Sequence, residues 1–170
     1  MDNRPIILTG FMGSGKSSVG RVVAQLLEVP FVDLDALIVT AAGCSINEIF
    51  SRDGEEVFRT LERQQLGQLL SRGDGYVVAT GGGAVISPEN RQFMRSAGFV
   101  INLKVSLDQV LRRLERSNDR PLLAGEDGHL RAASLLAERE QFYADADIRI
   151  DTDGKSVEDV AREILRSLKG

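Results

Sequence analysis

The stretch GFMGSGKSS, residues 10–18, lies between the apolar run PIILT (5–9) and residues 16–28, where Val19, Val22, Val23, Leu26 and Leu27 share one helical face. It matches G-x-x-x-x-G-K-[ST] in full through Gly10, Gly15, Lys16 and Ser17. Residues without a Cβ let the backbone curl until successive N–H groups point inward, and the helix that follows adds its positive end. The result is a cradle for phosphate oxygens. Lys16 then reaches the β and γ phosphates, the Ser17 hydroxyl takes one Mg²⁺ position, and Ser18 adds a hydroxyl near the α phosphate. The stretch therefore reads as a nucleotide-binding loop with Gly13, Ser14, Gly15, Lys16, Ser17 and Ser18 as its contacts. It leaves the reaction open.

Further short apolar runs follow: PFVDLD (30–35), GYVVAT (75–80), GFVINL (98–103) and ADIRID (146–151), with helical stretches between them. The amphipathic stretch 157–168 is one of these, with Val157, Val160, Ala161, Ile164 and Leu168 on one face. Strands alternating with helices predict a largely parallel sheet covered on both faces, with ligands at the carboxyl ends of the strands. The 170 residues fit one domain spanning 1–170. The segment 115–129 is rich in turn formers and charges and reads as a mobile loop or lid.

Charge and composition narrow the function classes. A formal net charge of -4 argues against a nucleic-acid module. One cysteine, Cys44, rules out an internal disulfide, and a zinc site would lean on the single His129. No apolar run approaches the roughly 20 residues that span a bilayer, and the first residues carry no signal sequence, so the expected location is the cytoplasm. No guanine-reading N-K-x-D follows a strand, which argues against a switch GTPase.

The remaining candidates are charged. In FVDLD, Asp33 is placed to hold Mg²⁺ through water and Asp35 to accept a proton or hydrogen bonds from an acceptor hydroxyl. Taken alone, Asp35 also reads as the N-cap of a helix over ALIVTAA. Arg59 and Glu62 share a helical face at i, i+3, which is either a surface ion pair or a fork suited to a substrate carboxylate or phosphate. Gly81, Gly82 and Gly83 follow the third strand, where backbone can approach a ligand closely. Arg113, Arg120 and Arg139 complete the set, and a lid arginine can neutralise charge on a transferred phosphoryl group while excluding water.

Taken in order, GFMGSGKSSVG (10–20), FVDLD (31–35), INEIFSRDGEEVFRTLE (46–62), ATGGGAV (79–85), NDRPLL (118–123) and EREQFY (138–143) resemble the shikimate kinase family nearly end to end. That resemblance implies an α/β three-layer P-loop kinase fold, related to the nucleoside monophosphate kinases, with a central five-stranded parallel sheet. It adds an acceptor-binding segment at about 36–62 and a lid at about 115–126. It implies Mg²⁺- and ATP-dependent phosphorylation of the 3-hydroxyl of shikimate, in aromatic amino-acid biosynthesis, by a monomer. By resemblance the acceptor contacts fall on Asp35, Arg59, Gly81, Gly82, Gly83 and Arg139, the metal-linked aspartate on Asp33, the lid arginine on Arg120 and an adenine-stacking arginine on Arg113. Lys16, Asp35 and Arg120 are the expected catalytic residues. Ser18 stands where the family usually has threonine, which keeps the hydroxyl. Gluconate or nucleoside monophosphate phosphorylation, and a non-catalytic ATP-binding module, are the alternatives.

Overall fold

In a computed structural model of the chain, which describes residues 3–116 and 127–170, five strands form one parallel sheet. They are β1 (Ile6–Thr9), β2 (Phe31–Asp33), β3 (Val77–Ala79), β4 (Phe99–Lys104) and β5 (Ile148–Asp151), in the spatial order β2-β3-β1-β4-β5. Parallel neighbours require crossover connections, and helices supply them. Helix α1 (Lys16–Leu27) follows β1; α2 (Leu34–Ala42), α3 (Ile46–Asp53) and α4 (Glu55–Leu70) join β2 to β3. A short 3₁₀ turn (Ala84–Ile86) and α5 (Pro88–Ala97) lead to β4. Helices α6 (Leu107–Leu114) and α7 (Gly128–Tyr143) lie between β4 and β5, and α8 (Val157–Lys169) follows β5.

The apolar runs of β1 and β3 are continuous because the centre of the sheet is buried on both faces, while the edge strand β5 alternates, with Arg149 and Asp151 exposed. In β1 the period of two sends Ile6 and Leu8 against Val19 and Val23 of α1 and Val160 and Ile164 of α8. Ile7 points the other way, into a second core with Phe11, Leu34, Phe58, Leu66, Met94 and Tyr143. Because the chain leaves β1 towards β2 on one side and reaches β4 on the other, the crevice for ligands opens at the carboxyl ends of β1 and β3.

Two boundaries differ from the sequence reading. The run FVDLD is strand only to Asp33: the Asp33 side chain accepts from the N–H groups of Asp35 and Ala36, caps α2 and starts the helix at Leu34. Asp33, not Asp35, is therefore the cap, and Asp35 belongs to the first helical turn. The irregular segment expected over 115–129 ends earlier, since α7 begins at Gly128 and already buries Ala132. His129 sits in that first turn. The NDRPLL part of the expected lid lies outside the described residues.

Gly98 shows how tightly β4 enters the sheet. Its backbone is extended, yet a Cβ there would run into the carbonyl of Pro5, the same oxygen that accepts from Phe99 N–H at 2.9 Å. Backbone cannot swing aside as a flexible side chain can. We expect Gly98→Ala to cost about 1–3 kcal/mol of stability by prising β4 from β1, measured by urea unfolding; an unchanged midpoint would contradict it.

Candidate active site

The loop after β1 makes its turn through Gly13 and Gly15, whose φ angles of +80° and +89° lie in the left-handed region that other residues avoid. Lys16 Nζ donates to the carbonyls of Gly10 (2.7 Å) and Phe11 (3.1 Å), so the ammonium closes the loop on itself. Ser14 is buried, its N–H donating to Phe11 and its side chain lying beneath Gly10. Ser17 Oγ donates to Asp33 Oδ2 at 2.9 Å, while Asp33 Oδ1 accepts from the N–H of Asp35 at 3.0 Å. A cavity of about 460 Å³ is bounded here by Gly13, Lys16, Ser17, Ser18, Asp33 and Arg113 among others. Arg113 reaches it from α6, with its Cδ 3.6 Å from where a Cβ on Gly13 would stand.

A second cavity of about 320 Å³ adjoins the first, and Met12, Asp35, Gly81 and Gly82 are in the walls of both. Its apolar side is made by Val39, Ile46, Phe50 and Phe58, the two rings lying 4.9 Å apart. Its polar side holds Arg59 and Glu62 from α4. Arg59 donates to Glu62 Oε1 at 2.9 Å and to Glu55 Oε1 at 3.3 Å, and Glu62 is only 1% exposed. This pair is therefore no surface ornament: one carboxylate is fully inside and holds the guanidinium at the cavity wall.

The three glycines admit this charge. A Cβ on Gly81 would stand 2.6 Å from Glu62 Oε2 and 3.3 Å from Asp35 Oδ1; one on Gly82 would stand 3.1 Å from Met12 N and 3.5 Å from Arg139 Nη1; one on Gly83 would collide with the Arg59 guanidinium. Arg139, from α7, lies behind Gly82 and outside the cavity wall, 2% exposed and over the Phe11 ring. Its Nε and Nη1 have no hydrogen-bond partner among the described residues. A buried guanidinium left so is costly unless an anion comes to it.

The site residues expected from sequence thus gather in one cleft, with three qualifications. Ser14 is buried beneath the loop and does not line the cavity, Arg139 stands one layer back, and Arg120 lies outside the described residues. The apolar walls Phe50, Phe58 and Ile46 were not singled out by sequence reading, because an aromatic on an amphipathic helix looks the same whether it faces core or ligand. Tyr143 was likewise missed as a residue in its own right; only its spacing of four from Arg139, on one helical face, hinted at it.

A glycine-rich loop closing on a lysine at the head of α1, at the switch point of a parallel sheet and next to a charged second cavity, defines a P-loop kinase. The sequence model described as shikimate kinase matches residues 12–169, and the chain belongs to the shikimate kinase family. It is 58% identical over 167 residues to the shikimate kinase of Geobacter metallireducens, covering 98% of this chain and 93% of that one. With the shikimate kinase of Caldanaerobacter subterraneus subsp. tengcongensis it shares 46% over 168 residues, 97% of this chain and 98% of the other. Among solved structures, shikimate kinase from Acinetobacter baumannii in complex with shikimate superimposes with a TM-score of 0.94 at 38% identity, over 98% of this chain and 93% of that chain. A gluconokinase from Sinorhizobium meliloti, at 19% identity and a TM-score of 0.59, shares the fold alone.

Burial pushes the Glu62 carboxyl above its ordinary value of 4.5, with Asp35 adding to the shift and Arg59 opposing it. The folded chain then holds that proton more tightly than the unfolded chain does. The corresponding stability is complete below about pH 4.5 and is lost as the pH rises through the raised value. Glu62→Gln removes this term, so the variant should gain on the parent as pH climbs from about 4.5, read by urea unfolding across a pH series. A parent that gains on the variant over the same range would mean that pairing with Arg59 outweighs burial.

Proposed function

We propose that the protein is a shikimate kinase in the full sense: it transfers the γ-phosphoryl group of ATP to the 3-hydroxyl of shikimate, giving shikimate 3-phosphate and ADP. The observation that carries this reading is the pairing of a phosphate cradle with a compact anion-seeking cavity through four shared wall residues. The second cavity combines Arg59, a buried carboxylate and an aromatic wall, with the buried Arg139 guanidinium behind it. That combination suits a small cyclic carboxylate carrying hydroxyls.

In this reading Gly13, Gly15, Lys16, Ser17 and Ser18 hold the ATP phosphates and Arg113 lies along the nucleotide, with Ser14 assigned to the phosphate loop on its sequence motif alone. Lys16 exchanges its loop carbonyls for phosphate oxygens as the reaction proceeds. Arg59 and Arg139 take the acceptor carboxylate, with Gly81, Gly82 and Gly83 offering backbone N–H groups beside it. Asp35, in the wall of both cavities, orients the acceptor hydroxyl and is the candidate to take its proton. Arg120 is assigned to the transferred phosphoryl group on family resemblance alone.

Mg²⁺ fits the oxygen pair at the head of the cradle. Ser17 Oγ and Asp33 Oδ2 are hard donors 2.9 Å apart, and no dedicated cluster of three metal-ligating side chains occurs among the described residues. That is the arrangement expected when the ion is shared with phosphates and water. Ser17 and Asp33 would hold the ion, which would supply positive charge to the phosphate groups. Among the described residues no single helix is long and apolar enough to cross a membrane. We take the protein to work as a cytoplasmic monomer on small molecules, with neither nucleic acid nor membrane as partner, in a single domain whose α2–α4 segment receives the acceptor.

The test is a coupled assay of ADP release with ATP and Mg²⁺, comparing shikimate, gluconate, a nucleoside monophosphate panel and no acceptor. Shikimate alone should support turnover, and Asp35→Asn should lower kcat by roughly 10²–10⁴-fold while leaving ATP affinity nearly unchanged. Turnover with gluconate or a nucleotide instead would overturn the acceptor assignment, and an equal loss of ATP binding in the variant would overturn the role of Asp35.

A further inference from the structure

The glycine loop has an unusual hydrogen-bond ledger. The Gly81 carbonyl accepts from Ala84 N–H at 3.1 Å and the Gly83 carbonyl from Ile86 N–H at 3.1 Å, both within the 3₁₀ turn that follows. The Gly82 carbonyl has no backbone partner among the described residues; it accepts from the hydroxyl of Tyr143, the last residue of α7. The N–H groups of all three glycines donate to nothing among the described residues. Every carbonyl is thus engaged and every amide left over.

A peptide unit between two glycines meets almost no steric resistance to flipping, because neither side carries a Cβ. In a trans peptide the C=O of one residue and the N–H of the next point in opposite directions, so fixing the Gly82 carbonyl fixes the Gly83 N–H as well. Gly82 and Gly83 are both in the wall of the acceptor cavity. The plane of this one peptide decides whether an anion there meets donors or a carbonyl dipole.

We infer that Tyr143 is a positioning residue for the acceptor: its hydroxyl locks the Gly82–Gly83 peptide in the orientation that keeps amides available to an anionic acceptor, and it registers α7, which carries Arg139, against that loop. The inference rests on the functional reading above. Three features support it. Tyr143 lies four residues beyond Arg139 on one helix, so a single rigid element brings both groups to Gly82. The side chain is 2% exposed and inside the core with Phe11 and Val85, which leaves the ring no alternative rotamer to relax into. Finally, burial pushes the phenol up to about 12, against the opposing pull of Arg139 and Arg59, so the hydroxyl stays a neutral donor throughout the working pH range.

A merely structural tyrosine is available for comparison. Tyr76 is 6% exposed and donates to the Leu69 carbonyl at 2.8 Å, near the opposite ends of the strands. Tyr143→Phe and Tyr76→Phe each remove one buried hydroxyl from one backbone carbonyl. Only the first touches the acceptor loop.

The experiment measures kcat, KM for shikimate and KM for ATP in the parent and both variants, with urea unfolding to confirm that each is folded. Tyr143→Phe should raise KM for shikimate roughly tenfold, about 1.4 kcal/mol, with kcat and KM for ATP within about threefold of the parent. Tyr76→Phe should leave all three within about twofold. A second readout needs no substrate. The sequence contains only two Gly-Gly steps, 81–82 and 82–83, so labelling glycine with ¹³C at the carbonyl and ¹⁵N at the amide isolates two resonances, those of Gly82 and Gly83. The Gly83 amide should move or broaden in Tyr143→Phe and not in Tyr76→Phe. An unmoved Gly83 resonance, or a KM for shikimate equal to the parent's, overturns the inference; so does a rise in KM for ATP as large as that for shikimate. If the parent does not turn over shikimate while the Gly83 resonance moves as expected, the functional reading fails and the peptide lock stands as geometry only, its role in acceptor binding overturned.

Discussion

Charge can crowd around the second cavity because the glycine turn beside it lacks side chains. Glu62 presses against Gly81 and Arg59 against Gly83 at separations that a Cβ would not allow, while Gly82 lies close to the Met12 amide with Arg139 in ordinary contact behind it. The glycines are held in place by their strand. β3 sits between β2 and β1, so the loop leaving it emerges beside both Asp33 at the end of β2 and the phosphate loop at the end of β1. Neither the Arg59–Glu62 pair nor the cleft joining the two cavities could take its present form with a bulkier loop.

Such a site works against the stability of the fold. Among the described residues, one oxygen of the buried Glu62 and two nitrogens of the buried Arg139 have no hydrogen-bond partner. Desolvating these groups costs free energy that one ion pair at 2.9 Å does not fully offset, which is why the Glu62 carboxyl is pushed towards its neutral form. Under the proposed assignment an anionic acceptor would change the balance, bringing negative charge to the buried Arg139 and the half-buried Arg59. Much of the reorganisation needed for binding is therefore built into the folded chain before ligand arrives.

How far the sequence disclosed this depends on how local the physics is. The phosphate loop was readable in full, because its glycines, lysine and serine act within eight residues and their spacing is the mechanism. The central strands β1 and β3 were readable as continuous apolar runs because the sheet is covered on both faces there, whereas β5 was readable from the alternation of Ile148 and Ile150 with exposed Arg149 and Asp151. The Arg59–Glu62 pair was visible as an i, i+3 spacing, yet its burial was not, since α5 and the glycine turn that cover it come from elsewhere in the chain. Asp33 and Asp35 were found, but their geometry was misjudged: two carboxylates on one strand end become a cap and a first-turn residue once the Asp33 side chain closes on the backbone behind it. The contact from Tyr143 to Gly82 spans 61 residues and carries no periodic signal at all.

That cap has a consequence for the chemistry. Asp33 Oδ2 accepts from Ser17 at the head of the phosphate cradle, and Asp33 Oδ1 accepts from the backbone of Asp35 beside the acceptor. One carboxylate therefore ties the start of α1 to the start of α2, with bonds of 2.9 and 3.0 Å on its two oxygens. Phosphoryl transfer asks for donor and acceptor oxygens in line, and loses rate steeply when they drift by about an ångström. Under the proposed assignment this bridge would hold the phosphate loop and the α2 N-terminus in fixed register. The fold is shared with a gluconokinase. In this chain α2, α4 and α7 surround the glycine turn with charge.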